Sequence, residues 1–163
     1  MLRRVAPVLT ACAAIGLLVW PTFASAADRV RITGLSDVSF GTITSFASDA
    51  IRSQSVCVYA KSSLDNYRVT AIGSGSGGGF SLASGSDTLP YEVQWSDQPG
   101  NATGSLLTPN IPLTSQHSNA RLDDCRIGAP TTASLIVVVR SASVSAAIAG
   151  AYTGTVTLVI GPE

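Results

Sequence analysis

The chain has 163 residues, with ten Lys and Arg set against ten Asp and Glu, and only 12% of it is charged. So sparse and even a balance, without a basic patch, excludes an electrostatic nucleic-acid binder. Ser, Thr, Gly and Ala are abundant instead, a composition common in secreted bacterial β-proteins, and one that leaves a surface neutral enough to pack against copies of itself.

The chain opens with Arg3-Arg4 and a mostly apolar run over residues 5–20, followed by Ala24-Ser25-Ala26. This is the form of an export signal, residues 1–26, with cleavage expected after Ala26. It is too short, and wrongly flanked, for a retained membrane span. Leu9-Thr10-Ala11-Cys12 has the look of a lipoprotein box, but the apolar run continues past Cys12 to Trp20, where such a box would end it. About 137 residues remain, enough for a single domain over 27–163 with a sizeable core. They carry eight basic and ten acidic residues, a net charge near −2, and no second apolar stretch long enough to span a membrane.

Two cysteines survive cleavage, Cys57 and Cys125. An even pair in an exported chain is expected to form a disulfide. The alternative, a redox or metal thiol pair, lacks a C-x-x-C spacing and has one histidine in the whole chain to draw on.

The predicted elements are strands but for one helical turn or crossover. Val30, Ile32, Gly34, Ser36, Val38 and Phe40 alternate with Arg29, Arg31, Thr33, Asp37 and Ser39, a period-two pattern over residues 28–40 broken only by Leu35. It is either the first strand of the domain or a strand offered to a neighbour, with Gly34 dividing the two jobs. Residues 42–53 read as a connection. Ser55–Ala60 and Asn66–Ile72 are the next strands, turned by Leu64-Asp65-Asn66. Gly73–Gly79 is a flexible hairpin connection; it lacks the Lys-Ser/Thr of a phosphate-binding loop. Gly79–Ala83 is a short strand. Leu89–Ser96 is a clean alternation in which Leu89, Tyr91, Val93 and Trp95 face inward, so Trp95 reads as core rather than as a sugar platform. Residues 97–120 hold Pro99, Pro109 and Pro112 and read as a long loop with short edge segments. Ala133–Arg140 is a nearly continuous apolar strand, expected to be central and covered on both faces. Ser143–Ala149 is a helical turn or a crossover. The last strand has Tyr152, Val156, Leu158 and Ile160 on one face and closes at Gly161-Pro162. The whole reads as an all-β sandwich of about seven to eight strands. A sandwich ending on a hydrophobic strand is expected to lack the strand that would cover its core, so that another molecule could supply it.

No constellation for catalysis or cofactor binding is legible. His117 is a lone histidine in a polar loop, Asp123-Asp124 read as strand neighbours pointing to opposite faces, and Glu92 has no evident partner. Asn101-Ala102-Thr103 fits the glycosylation sequon, which means little behind a signal of bacterial form. The chain reads as a non-enzyme.

Three segments carry a likeness: Val38-Ser39-Phe40-Gly41, Leu89-Pro90-Tyr91 through Asp97, and Gly150-Ala151-Tyr152-Thr153-Gly154 through Leu158. In these, and with Cys57 where the family often has a strand cysteine, the chain resembles the spore coat protein U-like family, which includes subunits of archaic chaperone–usher pili. The likeness spans most of residues 30–160. It implies an incomplete, immunoglobulin-like (pilin-type) sandwich, filled first by a periplasmic chaperone and then, through an usher, by the N-terminal strand of the next subunit. Val30 and Ile32 are the expected donor anchors. The Gly161-Pro162-Glu163 ending and the glycine-rich 73–79 loop depart from a major rod subunit. Two other readings stay open: residues 28–34 close the same domain, giving a secreted binding module, or loops 73–79 and 97–120 serve a tip adhesin.

Overall fold

In the computed structural model, which describes residues 28–62 and 64–163, ten strands follow one another. They are β1 (Arg29–Thr33), β2 (Ala50–Lys61), β3 (Asn66–Gly73), β4 (Ser81–Ser84), β5 (Asp87–Pro90), β6 (Glu92–Ser96), β7 (Ser105–Leu106), β8 (Leu113–His117), β9 (Ala133–Val139) and β10 (Val156–Pro162). One short helix, α1 (Ser141–Ala146), stands between β9 and β10. The expected signal peptide, with its cleavage site and Cys12, lies outside the described residues.

The strands make an all-β sandwich. One sheet has the order β1-β2-β9-β6-β7, the other β10-β3-β8, and β4-β5 form a separate hairpin. The alternation of apolar residues explains the layering. Val56, Val58 and Ala60 of β2, Val93 and Trp95 of β6, and Leu135, Val137 and Val139 of β9 face Tyr67, Val69 and Ala71 of β3 in one cluster. Trp95 and Tyr67 are wholly buried and meet edge to face, their ring centroids 6.4 Å apart. The indole Nε1–H donates to the Tyr67 hydroxyl at 3.1 Å, so the one polar atom of each ring is satisfied inside the core. All of β9 is buried, as its apolar run predicts. Its second face is closed by the 97–104 loop: Ser134 Oγ donates to the Gln98 carbonyl (2.9 Å) and accepts from Asn101 N–H (3.1 Å).

Cys57 and Cys125 form a disulfide, across 68 positions of chain and with Cα atoms 6.0 Å apart. Cys57 has the parity opposite to Val56 and Val58, so the bond pins the 118–132 loop to the outer face of β2. Ser118 Oγ and Thr132 Oγ1 both donate to the Val58 carbonyl, at 2.6 and 2.9 Å, and fasten the same loop.

Several sequence expectations need correcting. The pattern over 28–40 is a strand only to Thr33; Gly34 has φ +84°, which takes the chain out of the ladder. Residues 42–53 are not all connection, because β2 begins at Ala50. Leu89–Ser96 is two strands, parted at Tyr91, where the chain leaves β4 and joins β9. That break and two-to-four-residue pieces such as β7 raise the count from about seven to eight strands to ten. Pro162 lies within β10, opposite Tyr67, and is tolerated because β10 is an edge strand. Asp123 and Asp124 stand in a turn rather than a strand, and His117 ends β8 rather than sitting in a loop.

Candidate functional site

The sandwich is unevenly closed. Its middle strands bury their inward residues almost completely, whereas Val30, Ile32, Phe40, Val156, Leu158 and Ile160 pack on the cluster while only partly buried. All six lie along one flank, where β1 ends one sheet and β10 ends the other.

On β10 the backbone explains what the flank offers. Ser74 N–H donates to the Thr155 carbonyl (3.0 Å), and Glu163 N–H to the Asn66 carbonyl (3.1 Å), at the two ends of the β3–β10 ladder. In the register that joins Thr157 to Ile72 and Val159 to Thr70, odd-numbered residues of β10 are the ones bonded to β3. Val156, Leu158 and Ile160 therefore turn their N–H and C=O groups to the outer edge while their side chains face the core. Among the described residues no strand pairs with that edge. β1 lies beside it, but no ladder joins the two.

β1 itself pairs antiparallel with the last five residues of β2, from Arg29 opposite Lys61 to Thr33 opposite Cys57. This brings Val30 and Ile32 onto the core of their own domain. Beyond Gly34 the chain still runs beside β2 but is held by side chains. Gln54 stands in for a strand: its Oε1 accepts from Ser36 N–H (2.9 Å) and its Nε2 donates to the Ser36 carbonyl (3.1 Å). Arg52 Nε donates to the Ser39 carbonyl (3.1 Å), and its guanidinium lies over the Phe40 ring. On this side, Ala50–Val56 of β2 make no ladder among the described residues. Sequence reasoning missed Arg52 and Gln54, though a signal existed. They share the inward parity of Ala50, Val56 and Val58, and two polar residues there mark a face that the opposite sheet does not cover.

A charged cluster fixes the return into β2. Arg140 Nε donates to Glu92 Oε1 (2.8 Å) and its Nη1 to Asp49 Oδ2 (2.7 Å), and Asp49 Oδ1 accepts from Ser141 N–H (2.8 Å). The Ser141 amide, then Arg140, holds the Asp49 carboxyl below its ordinary range; Arg140 does the same for Glu92, and is itself held further toward the charged form. Glu92, without a partner in the sequence reading, thus has one from the end of the neighbouring strand. Asp123 pairs with Arg31 of β1 (3.0 Å) and Asp124 with Arg126. Trp95 is core. Tyr152 is half-buried, its hydroxyl donating to the Ile148 carbonyl (2.8 Å). Among the described residues no helix is long and apolar enough to cross a membrane.

No family model and no curated protein matches the chain, so the likeness to the spore coat protein U-like family rests on its motifs. Among solved structures, the chain is similar to one from a structure described as "Chaperone-tip adhesin complex is vital for synergistic activation of CFA/I fimbriae biogenesis". The TM-score is 0.50 at 15% identity, over 82% of this chain and 42% of that one. The present chain thus spans less than half of its neighbour's length, and the likeness is one of fold.

Proposed function

We propose that this protein is an exported structural subunit of a chaperone–usher-type pilus, joined to its neighbours by strand addition at the β1–β10 flank. The observation that carries the reading is the pair of unjoined sheet edges facing each other across half-buried apolar residues. An extended segment laid there gains main-chain hydrogen bonds from Val156, Leu158 and Ile160 and sets alternate side chains between the sheets. Left open, the same edge invites uncontrolled pairing, which is the physical need a periplasmic chaperone would meet. The disulfide suits an oxidising compartment, and hence export to the periplasm and cell surface. The fimbrial fold neighbour and the motif likeness both support this reading.

The donor would be residues 28–33 of a second copy, with Val30 and Ile32 as anchors. In the single chain these residues lie on their own β2, so donation exchanges one ladder and one set of apolar contacts for another. The exchange gains the unmet edge of β10. A second reading is favoured by that same placement: β1 closes its own domain, and the protein is a secreted or outer-surface binding and adhesion module.

Deleting residues 28–34 separates the two. A strand-exchanging subunit keeps its fold when co-expressed with a chaperone but forms no polymers. A self-closing module loses its fold, seen as loss of protease resistance and of near-ultraviolet dichroism, and that result would reject the assembly reading.

A further inference from the structure

The eight basic residues beyond the signal segment are not evenly spread. Arg29, Arg31 and Lys61 lie on the outer face of β1 and the end of β2, and Arg121 and Arg126 on the loop that the disulfide pins there. Two are matched, Arg31 by Asp123 and Arg126 by Asp124. Arg29, Lys61 and Arg121 make no ion pair among the described residues. Arg29 and Lys61 are also register partners on adjacent strands. Like charges directly opposite one another repel, and neither has an acid to offset it. In a chain of slightly negative charge this leaves three neighbouring cations with no ion-pair role among the described residues.

Beside it is an open surface depression of about 560 Å³, lined by Tyr59, Lys61, Asp65, His117, Asn119 and Arg121 among others. Its volume falls in the range of small-molecule sites. The backbone beneath it is held in place. Ser118 N–H donates to the Asp65 carbonyl (3.0 Å), Ser118 Oγ to the Val58 carbonyl (2.6 Å), and the disulfide ties the same loop to β2. His117 Nδ1 is 3.3 Å from Asn66 Oδ1, which sets the ring.

We propose that this depression binds a carboxylate-bearing saccharide. Lys61 and Arg121 supply the charge for the carboxylate, Arg in the planar form that suits it. Asp65 and Asn119 are acceptors for hydroxyl groups, and an acid in the wall disfavours a bare anion. Tyr59 adds an aromatic ring and a hydroxyl, the mixture that suits a sugar's alternating polar and apolar surfaces. The volume far exceeds what a simple ion occupies. This site lies apart from the β1–β10 edge and does not depend on the assembly reading.

The test is titration of the exported, disulfide-bonded protein with N-acetylneuraminic acid and galacturonic acid, followed by protein NMR shifts. Galactose, N-acetylglucosamine, acetate and inorganic phosphate are the comparison probes. At least one acidic sugar is expected to bind, and binding should weaken with salt. Lys61→Gln and Arg121→Gln should each weaken it roughly tenfold or more. Arg126→Gln, whose charge is already matched, should leave it unchanged. If one variant fails to fold, the other still decides. Failure of both acidic sugars to bind, equal binding of galactose, binding of acetate or phosphate as tight as that of the acidic sugars, or indifference to Lys61→Gln and Arg121→Gln would each overturn the proposal.

Discussion

Tyr67 and Trp95 join the two sheets through one buried hydrogen bond, so the phenol and the indole depend on each other. Tyr67→Phe keeps the packing but leaves the Trp95 Nε1–H unmet, which should cost about 1–3 kcal/mol in urea unfolding. Burial pushes the Tyr67 phenol up to about 12, above its unfolded value near 10. The folded state thus holds this proton more tightly than the unfolded one. Its contribution is complete below pH 10 and is lost as pH rises from there through 12. Stability measured across that range should fall more steeply in the native protein than in Tyr67→Phe. The disulfide is the other single-residue lever. Cys57→Ser should lower stability by about 2–5 kcal/mol, and alkylation of the native protein should find no free thiol until it is reduced.

At the scale of elements, the Asp49–Arg140–Glu92 cluster ties the start of β2 to the start of β6 and the end of β9. Both carboxyls are held below their ordinary range, so their contribution is present above that range and is lost as pH falls through the depressed folded-state values. Arg140→Gln should flatten the acid limb of the stability profile while changing little near neutrality, because these groups are exposed and well screened. The strands that sequence made plain are β6 and β10, through their alternation, and β9, through its continuous apolar run. β1 was legible as alternation, but its end was not. The pattern continues to Phe40, while the ladder stops where Gly34 turns and Gln54 replaces a backbone partner with a side chain. The split at Tyr91 was hidden for a similar reason: the alternation runs on unbroken as the strand changes partners. Hydrophobic period reports which way a side chain faces, not which neighbour its backbone bonds.

At the scale of the whole molecule, what needs explaining is a sandwich whose two sheets end side by side, at β1 and β10, with no ladder between them. The final strand's apolar face was legible from its alternation. That its bare edge lies beside β1 was not, because a one-dimensional pattern says nothing of which strands end a sheet. If that flank takes a strand from a neighbour, Ile32 is the residue on which assembly turns. Ile32→Asp would set an unpaired charge between the sheets, at a cost of several kcal/mol, and should stop polymerisation while a chaperone-bound subunit persists. Arg31→Ala, on the opposite face and losing only an exposed ion pair, should assemble nearly as the native protein does. Unheated SDS gel electrophoresis of the protein exported with its assembly machinery tests strand addition most directly. The expected result is a ladder of oligomers that collapses to monomer on heating, is absent for Ile32→Asp and is kept by Arg31→Ala. A native protein that runs only as a stable monomer, heated or not, would contradict it.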